Sequence, residues 1–407
     1  MLTTPAQPTR LRETTPTVSF DDTSVAFASK SDWQLRKNYL IFASMNLQWL
    51  VKLGTFFIKL FFMLKLPIKY LIKPTVFEVF CGGEDIQECD KTIKKLYGSK
   101  IGTILDYSVE GEDDEKSFEH TAKEILLTIE KADHNEAIPF CVFKVTGIGH
   151  FDLLERIQAS EELSDEEKIA FERVRQRMDT LCKRAHQLGV KIFVDAEESW
   201  VQDTIDVLAY EMMEKYNKET AIVYNTFQLY RKDMLDNLVK ATDVAAQKGY
   251  FLGAKLVRGA YMEKERDRAH ELEYCSPIQN TKEDTDHDFN HAIDFCVRNR
   301  EQVSICLGTH NEYSSMYLTK QMQKLGIPNN DPHFFFAQLL GMSDNISYNL
   351  ANQGYNVAKY VPYGPVEAVM PYLFRRAAEN TSVKGQASRE FMLIKKEVVR
   401  RKEAKCN

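Results

Sequence analysis

Residues 252–258 read Leu252-Gly253-Ala254-Lys255-Leu256-Val257-Arg258, an apolar run with one internal charge that ends on an arginine. Seven similar runs rich in β-branched or apolar residues accompany it, at 101–106, 139–145, 190–195, 221–227, 303–308, 333–339 and 356–361. Between most of them lie charged stretches whose apolar residues recur at helical spacing, among them 164–188, 199–216, 232–248, 286–300 and 312–325. Continuous apolar strands alternating with helices indicate a parallel sheet buried on both faces. A doubly wound sheet needs no particular number of strands, whereas eight is the number of a closed barrel. The expected fold is therefore α/β, a (βα)8 TIM-type barrel with an N-terminal helical arm.

In such barrels the active site lies at the C-terminal ends of the strands. Here those ends offer Asp106, Lys144, Asp195, Gln228, Arg258, Thr309 with His310, Gln338 with Leu339, and Tyr360. Singly, a lysine that snorkels or an aspartate that caps the next helix explains any of them. As an ordered set, with Lys144 and Lys255 inside otherwise apolar strands, they indicate a concave polar site. Farther on, a helix expected to begin at Pro365 and run to Asn380 puts Tyr372, Arg375 and Arg376 on one face. Two guanidinium groups beside an aromatic ring make a fork suited to a carboxylate.

The remainder of the 407 residues sets limits. A net charge of −6 argues against nucleic acid as a partner. The cysteines form no CxxC pair, and Cys141 and Cys306 sit in apolar runs, as buried thiols in a reducing compartment do. Gly147-Ile148-Gly149 lacks a third glycine, so a Rossmann dinucleotide site is not expected. His287 and His291 share a helix face beside Asp286 and Asp288, but no third ligand is evident and no metal site is expected.

Residues 1–30 read as a disordered lead-in with no apolar signal core, and Asp21 and Asp22 are foreign to a transit peptide. Residues 39–72 mix Phe56, Phe57, Phe61 and Phe62 with Lys52, Lys59, Lys65 and Lys69. The runs between these lysines are far shorter than the ~20 residues of a spanning helix. Such a segment is either an arm packed on the protein's own body or a helix lying in a membrane interface. The expected division is a lead-in (1–30), an amphipathic helical arm (31–97), the barrel (98–385) and a charged C-terminal helix or tail (386–407).

Several stretches resemble the signatures of one family, the flavoenzyme proline dehydrogenase. They are Ala254-Lys255-Leu256-Val257-Arg258-Gly259-Ala260-Tyr261 with Glu265-Arg266, Val194-Asp195-Ala196-Glu197-Glu198, Gly308-Thr309-His310-Asn311 and Gln338-Leu339-Leu340-Gly341-Met342. Lys359-Tyr360-Val361-Pro362-Tyr363-Gly364, continuing through Arg375-Arg376 to Glu379-Asn380, completes the ordered set across 140–380. The resemblance implies a distorted (βα)8 barrel that holds FAD and oxidises L-proline to Δ1-pyrroline-5-carboxylate by hydride transfer from C5 to flavin N5. This is the first step of proline catabolism to glutamate, and the electrons pass to a membrane quinone.

By matching position, Asp195 and Lys255 are the catalytic residues. Lys144, Arg375 and Arg376 hold the substrate carboxylate, and Tyr261, Leu339, Tyr360 and Tyr372 wall its ring. Ala196, Gln228, Arg258, Gly259, Ala260, Thr309 and His310 contact the flavin. Lys255 departs from many bacterial relatives, which carry arginine there; the charge is kept and the fork geometry lost. The resemblance further implies a monofunctional enzyme, peripheral contact with a membrane through 39–72, and no transmembrane helix. Its place is the cytoplasmic face of a bacterial membrane, or the mitochondrial inner membrane in a eukaryote. The alternatives are a 4-hydroxyproline dehydrogenase and, on the same barrel, a Schiff-base aldolase using Lys144 or Lys255.

Overall fold

Eight parallel strands close into a barrel in chain order: β1 (Ile101–Tyr107), β2 (Phe140–Lys144), β3 (Lys191–Asp195), β4 (Val223–Gln228), β5 (Leu252–Val257), β6 (Val303–Gly308), β7 (Phe334–Leu339) and β8 (Val357–Tyr363). The computed structural model describes residues 18–45, 47–64, 69–109, 113–382 and 386–406. Each of the eight expected runs is a strand. β8 seals the barrel by running beside β1, with Ile101 opposite Val357 and Tyr107 opposite Tyr363.

Alternation along the strands decides what the barrel encloses. Ile104, Phe140, Phe193, Tyr224, Cys306, Ala337 and Ala358 point inward as one cluster. Phe140 and Phe193 stack with centroids 4.3 Å apart, and Tyr224 meets both rings edge-on, so the lower barrel is a solid aromatic plug. The same parity carried one or two steps up each strand gives Asp106, Lys144, Asp195, Gln228, Gly308, Leu339 and Tyr360. Lys255, level with the inward Cys306, joins them. The polar layer thus lies at the one end the plug leaves open.

Outside, the helices expected between strands are present, including Asp165–Leu188, Ser199–Tyr216, Met234–Lys248, Lys282–Arg298 and Glu312–Lys324. Local chemistry sets their ends. Ser164 and Glu167 form a capping box at the start of Asp165–Leu188, and Gly189 closes it at φ 65°, where a Cβ would be strained.

Two expectations need correction. The disordered lead-in over 1–30 does not hold from residue 18 onward. Val18, Phe20, Ala26 and Phe27 are buried, and Asp22 caps a short helix, Thr23–Ala26. Asn345 and Asn349 donate to the Phe20 and Asp22 carbonyls at 3.3 and 3.2 Å, pinning the segment to the helix Asp344–Asn352. Two spaced phenylalanines suffice to dock it despite its polar composition. Residues 1–17 lie outside the described residues.

The helix after β8 begins at Met370, five residues later than expected, and runs to Ser382. Pro371 explains this, since in a helix begun at Pro365 it would interrupt the backbone bonding, whereas near the start of a helix its missing N–H costs nothing.

The N-terminal arm comprises helices Asp32–Met45 and Gln48–Met63, a single turn at Lys69–Ile72, a π-helical turn at Lys73–Phe77 and the helices Glu78–Phe80 and Asp90–Tyr97. Asp32–Met45 lies against the C-terminal helix Gln386–Cys406. There Arg401 bonds Asp32 at 2.8 Å and Tyr39 stacks on Phe391 at 4.8 Å. Phe42, Phe80, Val366, Leu373 and Leu393 form a second core between arm, C-terminal helix and Met370–Ser382.

Candidate active site

The inward polar layer is organised around Asp195. Lys255 Nζ lies 2.5 Å from its Oδ1, and the Tyr360 hydroxyl donates to Oδ2. The ammonium also sits over the Tyr360 ring, 4.8 Å from its centroid, and 5.2 Å from that of Phe193. Three strands thereby share one buried network. Burial first, then the charges of Asp106 and Asp195, hold the Tyr360 phenol far above its ordinary range, so it stays a donor. Burial likewise raises the Asp106 carboxyl, against the pull of Lys144.

Beside this network a cavity of about 270 Å³ opens at the ends of β1–β3, lined by Asp106, Lys144, Thr146, Glu197, Tyr261 and Arg375, among others. Lys144 and Arg375, 231 positions apart in sequence, thus meet at one hollow. Arg376 turns elsewhere, with its guanidinium over the Tyr372 ring at 5.1 Å. Tyr372 belongs to the cluster against which Leu339 packs, and Leu339 is level with Tyr360 in the neighbouring strand.

A second set of residues rims β4–β6. Gln228 donates to the Glu197 carbonyl at 2.6 Å and accepts from the Ala260 N–H at 3.4 Å. Arg258 bonds Asp286 at 2.7 Å and the hydroxyls of Thr309 and Ser314 at 2.9 Å, while its guanidinium lies over Phe289. Gly259 has φ 138°, and a Cβ there would fall 2.4 Å from the Tyr230 ring, so only glycine fits. Ala196 is buried after β3. Burial, then the charges of Lys359 and Arg376, lowers the His310 imidazole to about 3; it is neutral at any working pH.

Guanidinium, hydroxyl, exposed glycine backbone and neutral imidazole form a donor set that fits a nucleotide carrying phosphates and an uncharged ring system. Arg258 must exchange Asp286 for any phosphate it binds.

Sequence reasoning overlooked several groups. Glu197 and Glu198 are buried at the cavity, and Lys264 ion-pairs with Glu198 at 2.5 Å. An acidic pair directly after a strand end was the available signal. Lys359, wholly buried on the outer side of β8, pairs with Asp344 at 3.0 Å, and Lys30 holds the other oxygen at 2.8 Å. This cluster ties the N-terminal segment to the strand that carries Tyr360. His287 and His291 stack at 3.9 Å, and among the described residues no group of three or more His, Cys, Asp or Glu is arranged to hold a metal ion.

The family model described as proline dehydrogenase matches residues 89–389. The chain is similar to the mitochondrial proline dehydrogenase 1 of Dictyostelium discoideum, 33% identical over 93% of this chain and 74% of that protein. It is 41% identical to its Homo sapiens counterpart over 58% of this chain and 40% of that one. The carbapenem antibiotics biosynthesis protein CarD of Pectobacterium carotovorum subsp. carotovorum is 33% identical over 79% and 84%. Among solved structures, proline utilization A from Bdellovibrio bacteriovorus superposes with a TM-score of 0.69 at 21% identity. That match takes in 78% of this chain and only 34% of the longer one.

Proposed function

The chain belongs to the proline dehydrogenase family, and on that premise we propose that it oxidises L-proline to Δ1-pyrroline-5-carboxylate. A hydride passes from C5 to N5 of bound FAD, and the electrons go on to a membrane quinone. The observation that carries this reading is the meeting of Lys144 and Arg375 at one cavity, beside the buried Asp195–Lys255–Tyr360 network.

FAD supplies the hydride acceptor when bound. The chain's own residues do the rest. Lys144 and Arg375 take the substrate carboxylate, and Arg376 joins them by swinging from the Tyr372 ring; each charge pair strengthens as the substrate displaces water. Tyr261, Leu339, Tyr360 and Tyr372 wall the pyrrolidine ring and fix its orientation, so binding energy is used for positioning. Asp195 locks both Lys255 and Tyr360, leaving a fixed positive charge where electron density accumulates. Ala196, Gln228, Arg258, Gly259, Ala260, Thr309 and His310 hold the cofactor.

The aldolase alternative loses Lys255, whose amine is committed to Asp195 at 2.5 Å and is not free to attack a carbonyl. Tyr360 favours proline over 4-hydroxyproline by filling space at the ring edge. Incubation with L-proline and an artificial electron acceptor tests the reaction. Loss of two hydrogens from proline, detected by mass spectrometry, supports the reading, and unaltered proline contradicts it.

A lipid surface is the proposed second partner, and the protein a peripheral one. Among the described residues no helix is long and apolar enough to cross a membrane. Gln48–Met63 turns Ile58 and Phe61 toward the protein core, yet Trp49, Leu53, Phe56 and Phe57 are exposed on its outer side, Trp49 by 63% and Phe56 by 61%. An ordinary surface helix is polar there. Residues 33–72 contain six lysines and arginines and no acid, in a chain of net charge −6. Apolar side chains among cations suit an anionic bilayer surface. The quinone would be reached there, at the cytoplasmic face of a bacterial membrane or the inner membrane of a mitochondrion.

A further inference from the structure

We propose that Glu197 binds the ammonium group of the bound amino acid and accepts its proton. The inference rests on the proposed reaction and deepens it.

In an α-amino acid the amine and the carboxylate are attached to the same carbon. A group beside the carboxylate's cradle therefore also faces the amine. Three acids line the cavity that holds Lys144 and Arg375: Asp106, Glu197 and Glu198. Glu198 is committed to Lys264, and Asp195 nearby to Lys255 and Tyr360. Asp106 accepts from the Ser108 hydroxyl at 2.5 Å and lies toward Asp195, Lys255 and Tyr360.

Glu197 lies on the other side, against Tyr261, the wall of the substrate ring. It is only 3% exposed. The Thr146 N–H donates to Oε1 at 3.0 Å and the Thr146 hydroxyl to Oε2 at 2.5 Å. Its own N–H is engaged by Gln202 at 2.7 Å and its carbonyl by Gln228 at 2.6 Å, so the side chain is fixed from both ends.

Charge gives the reason for such a group. A zwitterion brings one negative and one positive charge into a partly enclosed hollow. The first is met by Lys144 and the arginines; the second needs an acid, or it is stranded at high cost. Glu197 has no ion-pair partner among the described residues, so the ammonium completes it as it completes the ammonium.

The facing groups are Lys144 at the end of β2 and Thr146 after it, Glu198 beside Glu197, Tyr261 and Lys264 at the helix Met262–Glu271, Asp106 at β1 and Arg375 opposite. Burial chiefly, with Glu198, pushes the Glu197 carboxyl up to about 7, while Lys144 and the Thr146 bonds oppose it. A base of that strength suits proton transfer near neutrality.

The step balances. One N–H bond of the secondary ammonium breaks, its electron pair stays on nitrogen, and a carboxylate oxygen of Glu197 gains the proton. That pair then forms the C=N bond as hydride leaves C5 for the flavin of the proposed reaction. The product departs as a protonated imine that keeps the remaining N–H.

The test compares Glu197→Gln with Asp106→Asn in the holoenzyme, using L-proline and its ring-oxygen analogue, tetrahydrofuran-2-carboxylate. The wild-type rate of flavin reduction should rise through pH about 7. Glu197→Gln should lose that limb and raise the KM for proline about tenfold or more, leaving the analogue's inhibition constant within about twofold. Asp106→Asn should keep the limb. Infrared titration supplies a readout independent of turnover, namely a protonated-carboxyl band fading near neutral pH that Glu197→Gln lacks.

Persistence of the limb and the band in Glu197→Gln, or their loss in Asp106→Asn instead, overturns the inference. Should Glu197→Gln fail to bind the analogue, Glu197→Asp decides: a retained limb with slower reduction supports the proposal, and a wild-type rate contradicts it. A wild-type enzyme that proline does not reduce overturns the proposed function itself, an outcome distinct from these.

Discussion

Lys255 and Asp195 form an ion pair across the mouth of the barrel, Nζ to Oδ1 2.5 Å, reaching from β5 to β3 over the intervening β4. Both side chains are largely buried, so neither charge is at ease without the other. Lys255→Met is expected to lower thermal stability by several degrees, consistent with ~3 kcal/mol for a stranded buried carboxylate. It should also cut kcat about 100-fold, by removing a fixed charge at the reacting centre. Lys255→Arg should preserve fold and most activity. Calorimetry and steady-state kinetics on the pair of variants check this, and a fully active Lys255→Met contradicts it.

Arg375 reaches the cavity that holds Lys144, from a helix remote in sequence. Arg375→Met is expected to raise the KM for proline about 100-fold, the cost of losing a charge-assisted pair to the substrate carboxylate. A change confined to kcat would assign Arg375 a role other than holding the carboxylate.

The Tyr360 hydroxyl is anchored by Asp195, and in the proposed reaction its side chain fills the edge of the substrate ring. Tyr360→Ser should raise turnover of 4-hydroxyproline relative to proline, as space opens for the hydroxyl. An unchanged ratio of the two kcat/KM values removes the argument.

The Glu197 carboxyl, pushed up to about 7 in the fold, ionises near 4.5 once the chain unfolds. Between these values the folded state holds the extra proton, so stability falls as pH rises through the interval and the full penalty is present above 7. In the absence of proline, Glu197→Gln should melt higher than wild type at pH 8, and the gap should close toward pH 5. Melting curves at the two pH values measure it, and a gap independent of pH contradicts the sign.

The outer face of Gln48–Met63 predicts co-sedimentation with vesicles containing anionic lipid. Phe56→Asp with Phe57→Asp should abolish binding, while oxidation of proline with a soluble acceptor continues. Equal sedimentation of this double variant would mean that lipid is bound elsewhere, and self-association without lipid would make the face a contact between copies.

The barrel was legible because each strand is a continuous apolar run, a pattern that only a sheet covered on both faces sustains. Asp106, Lys144, Asp195 and Tyr360 were legible as polar residues at the C-terminal ends of strands, where a barrel builds its site. Glu197 showed only as half of an acidic pair just after a strand end, because its side-chain bonds come from Thr146, a residue far away in sequence. The late start of Met370–Ser382 was hidden by two prolines each suited to open a helix. Lys359 looked like one more strand lysine, and its meaning depends on Lys30 and Asp344 reaching it from opposite ends of the chain. Long-range pairing of this kind leaves no local pattern.

Anaerobic titration of the purified, FAD-loaded protein with L-proline tests the central claim most directly. Proline is expected to bleach the visible flavin absorbance to completion, joining bound cofactor and hydride acceptance in one observation. A flavin that stays oxidised at saturating proline, or a protein that takes up no FAD, would contradict it.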